Sequence, residues 1–155
     1  MIEDLWYKNT IIYSLDLKTF MDANDDGCGD FDGLVRRLDY LHSLGVETLW
    51  LAPFQPTPHR DNGYDIADFY GVDERHGSSG DFVEFLHQAD RRGLKVILDL
   101  VVNHTSDRHR WFQEARQSKH SKYRDWYVWS KKRPPKWNEG MVFPGVQKWK
   151  VLMSV

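Results

Sequence analysis

At 155 residues, with 41% hydrophobic and 28% charged residues, the chain has the composition of a globular protein with one core, which excludes an intrinsically disordered chain. Its formal net charge of -2 provides no basic surface, so neither nucleic acid nor a membrane is an expected partner. The single cysteine, Cys28, excludes an internal disulfide, and the N-terminus lacks the basic and apolar regions of a signal peptide. We therefore expect a cytoplasmic protein.

Segments typical of strands and helices alternate along the first 102 residues. The predicted elements are a strand at 10–14, a helix capped by Asp32 and running to Leu44, a strand at 46–51, a helix opened by a capping box at 78–81, and a strand at 95–102. Gly45 and Gly93 are expected to end the two helices. This alternation predicts an α/β fold with a parallel sheet and right-handed crossovers.

The last predicted strand carries an acid inside an apolar run. Such a run predicts a strand buried on both faces, so Asp99 requires a hydrogen-bonding partner. Asn103 and His104 follow where the strand should end, and ligands bind at the carboxyl ends of parallel strands. A lone histidine is more often a structural group than a ligand or a catalyst, so this position alone leaves both roles open.

The connections between these elements are unequal in length. Those that follow strands run from about 15 to 32 and from about 52 to 78, whereas those that follow helices are one or two residues long. Long loops on one side of a sheet indicate a functional face. After Thr105 the sequence predicts a packed insertion without a clear third helix, and Pro134-Pro135 breaks any element there. Its aromatic residues are Trp111, Phe112, Trp126, Tyr127 and Trp129.

The loop Asp22-Ala-Asn24-Asp25-Asp26-Gly27-Cys28-Gly29-Asp30 is a candidate calcium site. Asp, Asn and Asp at alternate positions followed by Gly match the first half of a calcium-binding loop. Gly33 stands where an EF-hand has its closing Glu, so Asp30 and the Cys28 carbonyl would complete the ligand shell. The alternative is a solvated acidic turn whose side chains cap backbone amides, although the mutual repulsion of so many Asp favours a cation.

The segment Asp61-Asn-Gly63-Tyr64-Asp65 is a candidate sugar-binding turn. Asn-Gly predicts a sharp bend in the loop that follows the second strand. A tyrosine between two carboxylates there can stack on a sugar ring while the acids bind hydroxyls. The alternative is a hairpin turn with a half-buried tyrosine, and the segment alone favours neither.

Together, these segments resemble glycoside hydrolase family 13, the α-amylase family. Asp99-Leu-Val-Val-Asn103-His104 resembles its first conserved region, at the end of the third barrel strand, and Gly45-Val-Glu-Thr-Leu-Trp-Leu-Ala-Pro53 resembles its second-strand motif. The loop at 22–30 resembles the calcium loop of the oligo-1,6-glucosidase and trehalose synthase branches, and 61–70 and 123–129 are most similar to the trehalose synthase branch. The resemblance extends to about Gln147.

The resemblance implies the N-terminal three β/α units of a TIM (β/α)8 barrel, plus the start of the small domain inserted after the third strand. On this basis residues 1–104 belong to the barrel, 105–147 to the insertion, and 148–155 form an atypical tail. A whole barrel of this type needs about 250 residues, so we expect the chain to hold part of one.

The resemblance also implies a site for α-glucosidic bonds, with maltose or an α-glucan oligosaccharide as the bound sugar. Tyr64 would stack on the glucose ring, Asp61 and His104 would bind its hydroxyls, and Asp99 and Asn103 would support the site. The nucleophile and acid/base of the family's retaining mechanism, roughly 5 Å apart, follow later strands, so we expect the chain alone to be inactive. The implied Ca2+ ligands are Asp22, Asn24, Asp26, Cys28 and Asp30.

Three alternatives stay open. The chain would act as a non-catalytic calcium-dependent sugar-binding domain if it bound sugar without cleaving it. A small doubly wound α/β domain for another ligand is a weaker alternative, because no Gly-x-Gly-x-x-Gly turn follows the first strand. A complementing C-terminal polypeptide would supply the remaining strands of the barrel in trans.

Overall fold

The computed structural model describes residues 5–129 and the backbone of Leu152–Met153. The predicted tail at 148–155 and the Pro134-Pro135 break lie outside the described residues, except for that short backbone segment. The elements are, in chain order, a 3-10 helix Trp6–Lys8, β1 (Ile12–Leu15), α1 (Leu17–Phe20), α2 (Phe31–Arg36), α3 (Leu38–Ser43), β2 (Thr48–Leu51), α4 (Ser79–Asp90), β3 (Lys95–Leu98), α5 (Arg110–Gln117), a second 3-10 helix Arg124–Trp126, β4 (Tyr127–Val128) and β5 (Leu152–Met153).

The three longer strands form one parallel sheet in the order β1-β2-β3. Each strand pairs with the next through four residues, so that Leu15 lies opposite Leu51 and Leu51 lies opposite Leu98. The carboxyl ends of all three strands therefore meet at one edge, from which the long loops depart. The predicted α/β fold with a parallel sheet is confirmed.

The core lies between one face of this sheet and the helices. Leu49 and Leu51 of β2 are fully buried and belong to one cluster with Phe31 of α2 and Phe85 of α4. Each fully buried side chain of this size contributes about 1.5–3 kcal/mol relative to an exposed one. The apolar face predicted for the first helical segment is also buried, at Leu34, Leu38 and Leu41.

The prediction for the third strand was wrong in two respects. β3 ends at Leu98 rather than at residue 102, and it is not buried on both faces, because Leu98 remains 40% exposed. Helices α2 and α4 cover one face of the sheet, and in the described part of the chain no strand pairs with the outer edge of β3. The apolar run continues beyond the strand as an exposed segment that contains Leu100 and Val102.

The helix boundaries also differ from the prediction. Asp30 rather than Asp32 is the N-cap of α2, since its carboxylate accepts the Gly33 N–H at 2.6 Å, and the expected single helix is interrupted at Arg37. The predicted capping box of α4 is confirmed, with Ser78 and Asp81 each bonding the backbone N–H of the other. Among the described helices, none has the length and apolar character needed to cross a membrane.

The residues after Thr105 form a second, smaller aromatic core. Helix α5 is present, contrary to the expectation that no clear helix follows, and it buries Phe112 and Ala115 on one face. The helix was missed because only these two of its residues are buried, and most of the others are polar or charged, so the sequence shows no clear apolar stripe. Phe112 and Ala115 pack with Tyr123 and Tyr127, which confirms a packed segment as far as residue 129.

Candidate functional site

The Asp99 carboxylate, just beyond β3, holds two side chains from other parts of the chain. It accepts the Tyr64 hydroxyl at 2.6 Å on one oxygen and the Trp50 indole N–H at 2.6 Å on the other. This pairing fulfils the requirement that an acid at this position must have partners. The hydrogen bond with Asp99, together with burial, raises the pKa of Tyr64 to about 12, so the phenol is a neutral donor at physiological pH.

Strand register explains why Trp50 reaches Asp99. Trp50 lies opposite Ile97 in the β2–β3 ladder, and Asp99 is two residues beyond Ile97. Residues two apart along an extended chain point to the same face, so Trp50 and Asp99 share the face that the helices leave open. Sequence analysis missed this role for Trp50. That Trp50 and Asp99 lie on the same face of the sheet can be worked out from the sequence only when the pairing register of β2 and β3 is known.

His104 and Asn103 form the next part of the same edge. The His104 Nε2 lies 3.0 Å from the Tyr64 carbonyl oxygen, and its Nδ1 lies 3.2 Å from the Asn103 side-chain nitrogen. Both contacts are satisfied by a neutral ring that donates from Nε2 and accepts at Nδ1. His104 therefore fixes the backbone of Tyr64, while Asn103 orients the His104 ring.

Asp61 and Tyr64 are the two ends of a tight turn. The Tyr64 N–H donates to the Asp61 carbonyl at 2.9 Å, and Asn62 and Gly63 between them have φ values of +54° and +94°. This is the sharp bend that Asn-Gly predicts. A side chain at Gly63 would meet the Pro53 carbonyl oxygen at 2.9 Å, so glycine is required by space as well as by φ.

The Asp61 carboxyl is the acid of this turn that stays available to a ligand. No hydrogen bond to its oxygens occurs within the described residues, and burial and the nearby Asp65 charge raise its pKa, while His104 opposes the rise. The turn borders a shallow cavity of about 300 Å³. Its lining residues are Tyr64, Asp99, Leu100, Val101, Val102 and Asn103.

Asp65 has a different role from Asp61. It is 1% exposed, and it accepts the Thr57 hydroxyl at 2.5 Å and the backbone N–H groups of Arg60 and Asp61 at 3.0 and 3.2 Å. The side chain holds the turn from within and is not exposed to a sugar. The sequence did not distinguish the roles of Asp61 and Asp65, because their roles depend on burial, and two aspartates in one turn give no sign of which is buried.

The predicted calcium loop is a series of side chain to backbone bonds. Asp22 accepts the N–H groups of Gly27, Asp25 and Asn24, and these bonds, that from Gly27 above all, lower the pKa of its carboxyl although burial acts to raise it. Asn24 and Asp26 each accept the N–H two residues further on. This pattern corresponds to the acidic turn considered as the alternative. Asp22 Oδ1 accepts two of these bonds, whereas each of the other accepting oxygens accepts one and keeps a second lone pair.

Asp30, another predicted calcium ligand, already bonds the backbone with both of its oxygens. The Asp30 carboxylate is buried, and its two oxygens accept the Gly33 and Ala23 N–H groups. Oxygen donors of this kind suit a hard cation such as Ca2+. However, among residues 5–129 no three His, Cys, Asp or Glu side chains converge as a metal-binding group, so the Asn24 side chain and the Cys28 carbonyl would have to contribute.

Comparison with known proteins agrees with this arrangement. Residues 12–151 match the family model for the α-amylase catalytic domain. The chain is 55% identical over 129 residues to a trehalose synthase of Thermus thermophilus, covering 83% of this chain and 13% of that protein. It is 44% identical over 148 residues to an oligo-1,6-glucosidase of Bacillus cereus, covering 93% of this chain and 26% of that protein.

Solved structures show the same fold. Trehalose-6-phosphate hydrolase of Bacillus licheniformis superposes with a TM-score of 0.80 at 46% identity, over 83% of this chain and 23% of that chain. The trehalulose synthase MutB superposes with a TM-score of 0.78 at 42% identity, over 80% and 22%. This chain thus spans about a quarter or less of the length of these relatives, at the start of their barrel. The chain belongs to the α-amylase family, as part of its catalytic domain.

Proposed function

We propose that the chain forms the sugar-contacting wall of an active site for α-glucosidic bonds, with maltose or an α-glucan oligosaccharide as the bound sugar. The observation that carries the proposal is the exposed Tyr64 ring, held by Asp99 beside the unbonded Asp61 carboxyl. The names of the relatives, trehalose synthase and oligo-1,6-glucosidase, support this class of substrate. MutB has been solved with the substrate sucrose, another α-glucoside.

Each residue of this wall contributes a different interaction. The Tyr64 ring, 38% exposed, offers an apolar face to the C–H groups of a glucose unit. The Asp61 carboxylate accepts sugar hydroxyls, and His104 donates to a hydroxyl from Nε2, the nitrogen that lies 3.0 Å from the Tyr64 carbonyl oxygen. Asp99 and Asn103 keep the tyrosine and histidine in place through the contacts described above.

We propose further that this chain binds sugar without cleaving it. A retaining glycosidase needs a nucleophile and an acid/base roughly 5 Å apart on either side of the scissile bond. Of the three carboxylates at the described site, Asp99 and Asp65 are occupied by donors within the protein, so Asp61 alone is free and the required pair is lacking. The glycosyl-enzyme intermediate of a retaining enzyme reacts either with water, which gives hydrolysis, or with a second sugar, which gives transfer. Residues other than these determine which reaction occurs.

The experiment is a titration of the purified chain with maltose, combined with a turnover assay on an aryl α-glucoside. We expect measurable affinity, no turnover, and loss of affinity in Tyr64→Ala but not in Tyr70→Ala, since Tyr70 is an exposed tyrosine outside the site. Turnover would refute the non-catalytic part of the proposal, and equal affinity in all three proteins would refute the site. Affinity abolished by chelation would favour the calcium-dependent sugar-binding domain.

We also propose that the loop at 22–30 binds Ca2+ through Asp22, Asn24, Asp26, Asp30 and the Cys28 carbonyl. The metal would neutralise the loop and take no part in bond cleavage. Terbium luminescence tests the proposal. We expect binding that Asp22→Asn abolishes and that Asp32→Asn, a matched loss of one nearby negative charge, leaves unchanged. Absence of binding, or equal loss in both variants, would favour the acidic turn.

The remaining proposals concern partner and location. We infer that a complementing C-terminal polypeptide with further parallel strands would pair with the outer edge of β3, and co-purification of two co-expressed chains tests this. We keep the expectation of a cytoplasmic location, which cell fractionation tests.

A further inference from the structure

The turn that carries Asp61 lies in the middle of a long loop between β2 and α4. Two backbone bonds tie the halves of this loop together: the Ala67 N–H donates to the Pro56 carbonyl at 2.7 Å, and the Asp73 N–H donates to the Phe54 carbonyl at 2.9 Å. Neither bond reaches the turn itself. The turn therefore needs other contacts to stay in one conformation.

Three side chains at the base of the loop form a closed group, which we call the anchor cluster: His59, Asp73 and Arg75. Asp73 is 5% exposed, and one of its oxygens accepts both the backbone N–H and the Nε–H of Arg75, at 3.1 and 3.0 Å. Its other oxygen lies 3.2 Å from His59 Nε2, and Arg75 Nη2 lies 2.6 Å from His59 Nδ1. A neutral His59 that donates from Nε2 satisfies every contact.

The electrostatics favour the same protonation states. Burial works to raise the pKa of Asp73, but its hydrogen bonds with Arg75 outweigh burial and hold that pKa below the usual value. Burial and the Arg75 charge lower the pKa of His59, and the charges of Asp73 and Asp65 oppose this only in part. His76 is the other titratable group near His59, and its charge would act in the same direction as Arg75.

His59 connects the anchor cluster to the turn through its backbone. Its φ of +57° lies in the left-handed region, which is unfavourable for a residue other than glycine, so this conformation persists only if it is held. The His59 N–H donates to the Thr57 hydroxyl at 3.0 Å, and that hydroxyl donates to Asp65. Asp65 in turn accepts the Asp61 N–H.

We propose that Asp73, acting with Arg75 through a neutral His59, is the positioning group that fixes the Asp61 turn in the orientation that receives a sugar. The inference rests on the proposed function only in its last clause, because the contacts that fix the turn do not depend on what binds there. Protonation of His59 would place an N–H against Arg75 Nη2, and the two positive charges would separate. The turn then loosens as the pH falls through the His59 pKa.

The first experiment measures amide hydrogen exchange in the chain and in Asp73→Asn. We expect exchange at Arg60 and Asp61 to accelerate about tenfold or more, while Leu49 and Leu51 of the central strand keep their rates. Asp39→Asn is the matched control, because Asp39 also pairs with an arginine, Arg92, but lies on α3. Unchanged rates at Arg60 and Asp61 would overturn the proposal, and so would a uniform acceleration of all four amides.

The second experiment has a readout that a general loss of stability does not change. In the ¹⁵N spectrum of the unaltered chain, His59 should keep an unprotonated Nδ1 to a lower pH than is ordinary for histidine, because burial and the Arg75 charge lower its pKa. In Asp73→Asn, His59 should lose its Nε2–H preference, whereas the exposed His87, which serves as the control, should keep its tautomer population. A His59 ring that behaves like His87 in both proteins would contradict the proposed link.

A maltose titration then separates this inference from the proposed function. If the unaltered chain binds maltose, Asp73→Asn should weaken affinity several-fold, but it should add little to the loss in a chain that already carries Asp61→Asn, because Asp73 acts through the Asp61 carboxyl. Fully additive losses would overturn the positioning role. If the unaltered chain binds no maltose, the proposed function fails, and the exchange experiment still decides whether Asp73 positions the turn.

Discussion

At the scale of single residues, the site depends on which carboxylates are already occupied. Asp99 accepts the hydroxyl of Tyr64 and the indole of Trp50, and Asp65 accepts two backbone N–H groups and a hydroxyl, whereas Asp61 accepts nothing within the described residues. Three acids in one small region thus have distinct roles, set by their hydrogen-bond partners rather than by their position in the sequence. Only Asp61 is left to meet a ligand.

The first prediction concerns ionisation of Tyr64. Its pKa of about 12 should fall towards the ordinary value near 10 in Asp99→Asn, because the neutral amide no longer disfavours the phenolate. In the unaltered protein, the hydrogen bond between Tyr64 and Asp99 contributes to the free energy of unfolding fully below pH 10, and this contribution disappears as the pH rises towards 12. Asp99→Asn should lack this pH-dependent contribution. NMR of ¹³C-labelled tyrosine resolves Tyr64 from the other six tyrosines, and Asp68→Asn is the control. Identical titration of Tyr64 in both variants would contradict the coupling.

Part of this residue-scale arrangement could be predicted from the sequence. The need for a partner at Asp99 follows from one acid in an apolar run, and the turn at Asn62 follows from its dipeptide with Gly63. The partner itself could not be predicted, since Trp50 is distant in sequence and meets Asp99 only through the strand register. The anchor cluster was likewise missed, because a buried aspartate and an exposed one look the same in sequence.

At the scale of elements, the close contact between Gly33 of α2 and the backbone of Met21 fixes the path of the loop between β1 and α2. A Cβ at Gly33 would overlap the Met21 carbonyl oxygen and lie 2.8 Å from the Met21 carbonyl carbon, so α2 packs directly on the chain that follows α1. In contrast, a Cβ at Gly80 in the first turn of α4 would meet only the Ser78 hydroxyl oxygen, at 3.4 Å. A side chain at Gly33 would therefore clash with the backbone, whereas there is room for a methyl group at Gly80.

The second prediction compares alanine at these two glycines. Gly33→Ala should destabilise the fold by about 2–3 kcal/mol, because the added methyl group meets backbone that cannot move aside cheaply. Gly80→Ala should stabilise the fold by about 0.5 kcal/mol, since alanine restricts the unfolded chain and favours the helix. Urea unfolding followed by circular dichroism measures both changes. Equal effects of the two substitutions would show that the packing described at Gly33 is incorrect.

Element existence was easier to predict than element limits. The apolar spacing from Leu34 to Leu41 and the caps at Ser78 and Gly93 are local signals, and the structure has helices there. The break at Arg37 carries no glycine or proline, so no local signal marks it. Helix α5 was missed because its buried positions are few and its other residues are charged.

At the scale of the whole molecule, the sheet is covered on one side only. Large apolar side chains remain exposed on the other face and along the segment after β3, and β1 and β3 each have one edge that pairs with no strand within the described residues. Uncovered parallel edges are templates for association. The exposed apolar residues in question include Ile12 and Trp50 on the open face and Leu100 and Val102 in the segment after β3.

The third prediction is that this surface makes the chain self-associate. Sedimentation velocity should show concentration-dependent association, and Leu100→Lys with Val102→Lys should reduce it without loss of helix signal. Val83→Lys is the control, because Val83 is 57% exposed on α4, away from the open sheet edge. A monomer at every concentration, with one cooperative unfolding transition, would contradict this expectation. The sequence already suggested the open edge, through the resemblance to a larger barrel, but not which residues are exposed.

The turn between Asp61 and Tyr64 also sets how the protein ages chemically. In an Asn-Gly sequence, the Gly63 nitrogen can attack the Asn62 side-chain carbonyl carbon, which expels ammonia and leaves a succinimide that hydrolyses to aspartate or isoaspartate. Ring closure requires rotation of the Asn62 backbone, so a closed turn protects the asparagine and each opening exposes it. Isoaspartate in a stored sample therefore records how often the turn opens. We expect mass spectrometry to find faster accumulation in Asp73→Asn than in Asp39→Asn, and equal rates would mean that the anchor cluster does not restrain the turn.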